Sequence, residues 1–307
     1  MNPDNSPISQ GERARVRGGP AKWGSQSWAP YVFLTPFFLT FGVFMAYPLG
    51  KSLWLTMHQT YGPDYTVYVG FSNFTFMMRD PSFWRALRNT TVFALASLFI
   101  QLPLSLGLAM LLDSRLVKGK EFFRLAFFSP HLVGQVFVGV LFGTLYSPRY
   151  GLINQILART LGVDPDIKWL GRAELVMPAL VLTSLWMYVG FNMVYFLAAL
   201  QTVDKQLYEA AEIDGAGAFD RFLHITLPGI RPVAAFVVVF STIGSYRLFE
   251  LAYLLLNQGS GPQEAGLTLV MYLYQTGFNT GDLGYASAIG WVLVLITFVI
   301  SLVQSRV

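Results

Sequence analysis

A chain of 307 residues carries 54% hydrophobic residues and only 12% Asp, Glu, Lys and Arg. Soluble domains hold about 25% charged residues, so a charge this sparse over this length excludes a mostly soluble body and a disordered or collagen-like chain. The net charge of +4 leaves no electrostatic footprint for nucleic acid, and the absence of Cys excludes a disulfide framework, a thiolate metal site and a cysteine nucleophile.

Residues 1–28 are polar and rich in Gly, Pro and Ser, and read as a disordered cytoplasmic tail. The apolar stretch behind them is too long for a signal peptide and lacks a small-residue cleavage site. A helix needs about 20 apolar residues to cross a hydrocarbon core. Runs meeting that length lie at about 31–50, 91–112, 125–147, 176–200, 232–256 and 283–303, and predict six transmembrane helices in a membrane domain spanning 29–307. The third run holds His131 and the fifth holds Arg247 and Glu250. With the amino terminus inside, 12 Lys and Arg fall in cytoplasmic segments and 8 in the outer loops. That bias places both termini in the cytoplasm of a multi-pass protein. Between the first two spans, residues 80–89 predict a short amphipathic helix lying at the interface, anchored by Phe83 and Trp84.

The loop at 204–231 is the most informative segment. A helix over 207–214 is broken by Gly215 and Gly217. A second helix over about 218–225 is predicted to stop at Leu227-Pro228, with Pro232 opening the fifth span. Within this loop stand Glu209-Ala210-Ala211, Gly215, and Ile225-x-Leu227-Pro228, in the spacing of the EAA motif. The chain therefore resembles ABC importer permeases, the binding-protein-dependent inner-membrane components, and within them the carbohydrate subgroup of the maltose and glycerol-3-phosphate permeases. Tyr47-Pro48, Phe71-Ser72-Asn73-Phe74, the run 150–154, Gly190-Phe191-Asn192-Met193 and the run 282–288 extend the resemblance over most of the chain.

The resemblance implies an all-α polytopic fold of the type I ABC importer permease (MetI-like) kind, in a bacterial inner membrane. It implies that Glu209, Ala210, Ala211, Gly215, Ile225, Leu227 and Pro228 form a coupling helix docked in a cytoplasmic ATPase. Glu209 would engage that subunit electrostatically, the alanines would allow close packing, and Gly215 would supply the turn. The implied partners are a second homologous permease, two ATP-binding subunits, and a periplasmic or lipid-anchored solute-binding protein. ATP and Mg would sit on the ATPase, so this chain is expected to carry no cofactor and no enzymatic activity. The implied cargo is a sugar or oligosaccharide; glycerol-3-phosphate or a polyol is the alternative. A stand-alone secondary transporter and an intramembrane enzyme are the rivals from other classes.

Ionisable groups inside a span are costly and mark candidate function. Arg247 and Glu250 lie three apart, on one helical face, and can pair there. They read either as a polar patch on the solute path or as a structural ion pair. Tyr188, Phe191, Asn192, Ser245, Gln101 and Gln135 are further pathway candidates, since sugars are held by amides, hydroxyls and aromatic faces. Ser, Asn and Gln in membrane helices are as often interhelical glue. His131, Trp186, Ser241, Thr242 and Tyr246 complete the polar and aromatic set. Gly50-Lys51-Ser52 lacks the glycine a phosphate-binding loop requires five positions earlier, where Met45 stands. His58, His131 and His224 are too dispersed to suggest a metal site.

Overall fold

The computed structural model describes residues 28–62, 65–114 and 117–306; the tail expected at 1–28 lies outside them except for Trp28. Two compact units divide the chain, residues 1–52 and 53–307. The first holds most of α1, Pro30–Leu55, an apolar helix that takes a π turn over Gly42–Ala46.

The second unit is helical apart from a hairpin of two short strands, β1 (His58–Thr60) and β2 (Thr66–Tyr68), paired antiparallel. Its helices in order are α2 (Ser72–Met77), α3 (Pro81–Asp113), α4 (Lys120–Leu132), α5 (Gln135–Leu145) and α6 (Leu152–Leu161). Then follow α7 (Ala173–Leu200), α8 (Lys205–Ile213), α9 (Ala218–Tyr246), α10 (Glu250–Leu255), α11 (Leu269–Tyr274) and α12 (Leu283–Gln304). Among the described residues, five helices are long and apolar enough to cross a membrane, or six when α4 and α5 count as one bent span.

Helix α7 is the central post. It packs on α3 and α4 along one side and on α9 along another. Its C-terminal half joins a buried cluster with Leu102, Ala109, Leu112, Ile230 and Val237. Its N-terminal half joins a second cluster with Val138, Phe142, Tyr146, Leu251 and Leu255. Gly190 makes the α4–α7 approach possible, because a Cβ there would run into the backbone carbonyl of Phe127. Small residues that let backbones touch are how helices pack in a solvent as apolar as their own side chains.

Four expectations are corrected here. Residues 81–89 do not lie flat at an interface; they form the first turns of α3, continuous with the second span. Asp80 caps that helix through Ser82 N (3.0 Å) with Pro81 at the first position, while Phe83, Ala86, Thr90 and Phe93 are buried along one face. The third span is not straight: α4 and α5 meet at 97°, because Val133 and Gly134 are extended just beyond Pro130. Leu227-Pro228 does not stop the helix of the loop at 204–231. Residues 218–246 run on through a π turn at Phe222–Thr226, and a widened turn gives the ring of Pro228 room against the preceding carbonyl. The fifth span, in contrast, breaks at 247–249, where Arg247 leaves the helix and Phe249 has φ −139° and ψ −68°.

Asp80 also ties three helices of this unit together. Its buried carboxylate accepts hydrogen bonds from the hydroxyls of Tyr272 and Tyr285 (2.6 Å for the latter), which tie α3 to α11 and α12. Burial, reinforced by the neighbouring carboxylate, holds the Tyr272 hydroxyl protonated well above the usual tyrosine range, so it remains a donor. Hydrogen bonds to a charged group contribute about 1.5–3 kcal/mol each. Asp80→Ala is therefore expected to destabilise the protein by about 3 kcal/mol, read as a lowered thermal midpoint in detergent. Tyr285→Phe, which removes one of the two hydroxyls, should cost less, and equal midpoints for Asp80→Ala and the parent would refute the anchor.

Candidate functional site: a polar cavity and a helix pair

A cavity of about 770 Å³ opens among α3, α4, α5, α7, α9, α10, α11 and α12. All eight residues proposed from sequence for the solute path line it: Gln101, Gln135, Tyr188, Phe191, Asn192, Ser245, Arg247 and Glu250. They arrive from five separate helices and the break. Gln101 and Asn192 are buried, at 4% and 3% exposure, and face each other's side of the cavity from α3 and α7. Gln135, at the first turn of α5, donates from Nε2 to the Tyr188 hydroxyl at 3.0 Å. The bend between α4 and α5 brings His131 over Phe191, ring centroids 4.0 Å apart and 28° from parallel. Phe128 lies near both rings, its centroid 6.5 Å from that of Phe191 and 6.1 Å from that of His131. The result is an aromatic face beside amides and hydroxyls, all within one aqueous-sized space.

The break at 247–249 decides what Arg247 and Glu250 do. In an unbroken helix they would share a face; here both are exposed on the cavity wall, and among the described residues no ion pair joins them. The reading as a structural pair is therefore corrected: the helix turn that would align them is missing. Of the remaining sequence candidates, Ser241 and His131 line the cavity, whereas Thr242, Tyr246 and Trp186 do not. Thr242 accepts a hydrogen bond from Gln304 Nε2 (3.0 Å), Tyr246 meets Thr91 Oγ1 (3.2 Å), and Trp186 packs edge-on to Phe142. Those three are interhelical glue. Sequence reasoning missed Phe93, Ser97, Phe240, Phe249 and Thr297. Phenylalanines give no polar signal inside an apolar span, and Ser97 and Thr297 look like any small polar residue there.

The loop at 204–231 is a helix pair. Asp204 caps α8 through Gln206 N (2.9 Å), and the helix ends at Ile213, just ahead of Gly215, whose φ of 80° lies in the left-handed region that favours glycine. Ala216 N bonds back to Ala211 O at 2.9 Å, closing the turn. Tyr208 meets Thr226 Oγ1 at 2.9 Å and Arg221 reaches Glu212 at 3.4 Å, bracing α8 on the start of α9. Glu209 and Ala210 are exposed and Ala211 half-buried, while Ile213 and Phe219 stand 87% and 73% exposed at the tip. Leu227 and Pro228 are exposed and Ile225 half-buried at the root of α9. The tip thus exposes acidic, small and apolar side chains side by side.

Residues 120–307 match the family described as binding-protein-dependent transport system inner membrane component. The chain is similar to the arabinooligosaccharides transport system permease protein AraP of Bacillus subtilis (strain 168), with 41% identity over 92% of this chain and 89% of that one. It is similar to the lactose transport system permease protein LacF of Rhizobium radiobacter, at 32% identity over 89% and 92% of the two chains. Its fold is similar to a chain of a bacterial alginate ABC transporter crystallised in complex with an alginate pentasaccharide-bound periplasmic protein. There the TM-score is 0.79 and the identity 26%, covering 92% of this chain and 94% of that one.

Proposed function

Because this chain belongs to the binding-protein-dependent transport system inner membrane components, we propose that it is the membrane subunit through which an ATP-driven importer passes a neutral oligosaccharide. The observation that carries the reading is the cavity. Its amides and hydroxyls suit the donor and acceptor pattern of sugar hydroxyls. Phe191, braced by His131, offers a flat apolar face of the kind a pyranose or furanose ring stacks on. Arg247 and Glu250 contribute one charge of each sign, a balance that favours neutral sugars over glycerol-3-phosphate or uronates. The volume lies within the range that holds a small ligand.

In this reading the helix pair 204–231 is the coupling element. Glu209 engages a cationic group of a cytoplasmic ATP-binding subunit, and Ala210 and Ala211 permit close approach. Ile225, Leu227 and Pro228 set the root. Two such subunits would hold ATP and Mg and perform the hydrolysis; a second homologous permease would complete the path, and a binding protein outside the inner membrane would deliver the sugar. Both termini would then face the cytoplasm.

The test is to reconstitute the complete complex and assay ATP hydrolysis with the binding protein and a panel of saccharides. Neutral pentose or hexose oligosaccharides are expected to stimulate hydrolysis severalfold over glycerol-3-phosphate and oligouronates. A flat response across the panel would remove carbohydrate as the cargo. Solute uptake by this chain alone, without ATP, would remove the importer reading altogether.

A further inference from the structure

The broken fifth span leaves a backbone problem whose solution lies far away in sequence. In a continuous helix the Leu248 carbonyl would bond to the N–H of residue 252. At the break that carbonyl is buried, and a buried, unsatisfied carbonyl is costly. It accepts instead a 2.7 Å hydrogen bond from Thr268 Oγ1, and Thr268 is 0% exposed. The same hydroxyl oxygen accepts from Met271 N at 3.3 Å, so it also caps α11.

Thr268 is itself clamped on both sides by α3. Asn89 Nδ2 donates to Leu267 O at 3.0 Å and to Glu264 O at 2.9 Å. Leu269 N donates to the buried Thr90 Oγ1 at 3.0 Å. Below these, Ser82 and Arg85 hold the Glu264 carboxylate. The residues before and after Thr268 are thus fixed to one helix, and Thr268 presents its hydroxyl to the break from that base.

We infer that Thr268, held by Asn89 and Thr90, is a positioning residue that keeps the fifth span broken at 247–249 and so keeps Arg247 and Glu250 on the cavity wall. Without the hydroxyl, the Leu248 carbonyl regains a partner only if the helix closes through residue 252. Closure re-aims Glu250, which the break leaves exposed on the cavity wall. Thr268 touches no solute; it acts through the backbone of the break. Its consequence for transport rests on the cavity being the solute path.

The chain has no cysteine, so Glu250→Cys gives it one thiol, followed on this chain by mass shift. In the complete complex in nanodiscs, its modification by a charged methanethiosulfonate reagent is timed with Thr268 intact, with Thr268→Val and with Thr268→Ser. Thr268→Val is expected to slow modification about tenfold, the equilibrium shift one buried hydrogen bond of ordinary strength carries. Thr268→Ser, which retains the hydroxyl, is expected to restore the rate. An unchanged rate in Thr268→Val, or no recovery in Thr268→Ser, overturns the inference. Should Thr268→Val fail to elute as an intact complex, Asn89→Leu, which releases the segment from a half-buried site, decides by the same readout. Each reaction is repeated with arabinotriose and the binding protein. Protection by the trisaccharide at a rate insensitive to Thr268 would leave the cavity reading standing and the bracket refuted. Slowing by Thr268→Val without protection would do the reverse.

Discussion

Gly215→Val is expected to lower binding of the ATP-hydrolysing subunits and saccharide uptake together by about tenfold, with the chain still inserted and abundant. The reason is local. Gly215 has φ +80°, and a Cβ there would meet nothing within 4 Å, so the substitution adds no clash. What it adds is backbone strain, about 1–2 kcal/mol for an L-residue in the left-handed region and more for a β-branched one. That strain is relieved by re-aiming α8, which carries Glu209, Ala210 and Ala211. Gly215→Asn, which tolerates the same φ, should retain most of the activity. Co-purification of the subunits and uptake in vesicles are the measurements; full values for Gly215→Val would remove the coupling role proposed for this loop.

Gly190→Ala is expected to be the most damaging single methyl in the molecule. Overpacking a close-packed site costs about 1–3 kcal/mol when side chains can yield. Here the obstruction is the Phe127 carbonyl and its peptide, which moves only if α4 shifts as a unit, so the loss should reach the upper end or exceed it. The same shift would pull His131 from Phe191 and disturb the aromatic face of the cavity, because both flank the contact. Gly107→Ala and Gly143→Ala, where a Cβ meets nothing within 4 Å, are the controls. Thermal unfolding of the purified chain should separate Gly190→Ala from both by many degrees. A midpoint equal to the controls would show that α4 and α7 are not in backbone contact.

These two glycines differ in how visible they were. Gly215 stands in a spaced motif between two apolar runs, and a glycine that ends a polar helix announces a turn. Gly190 sits inside the apolar run 176–200, where glycine is common in membrane helices and carries no mark of its contact. The same contrast holds for the polar residues. Tyr188, Asn192, Gln101 and Gln135 could be picked out because a polar atom in a lipid-length run needs a reason. Which of them share a cavity could not, since Thr242 and Ser245 have the same local surroundings in sequence yet only Ser245 lines the space.

What the sequence determined by itself is the solvent and the class. Lipid offers no partner for charge or for free backbone, so uncharged runs of about twenty residues dictate helices without any knowledge of their neighbours. The chemistry of 204–231 is likewise local: a cap at Asp204, a turn at Gly215, small residues between. The tertiary structure decided the rest, and above all the two breaks. The bend at 133–134 has a local cause in Pro130 and Gly134, but only packing on α7 turns it to bring His131 onto Phe191. The break at 247–249 has no proline and no glycine within it. Its carbonyl is satisfied by Thr268, twenty residues on and steadied by Asn89 and Thr90 of another helix. Periodicity over 232–256 reports an uninterrupted apolar helix, because a hydrogen bond supplied from elsewhere leaves no trace in the segment that receives it.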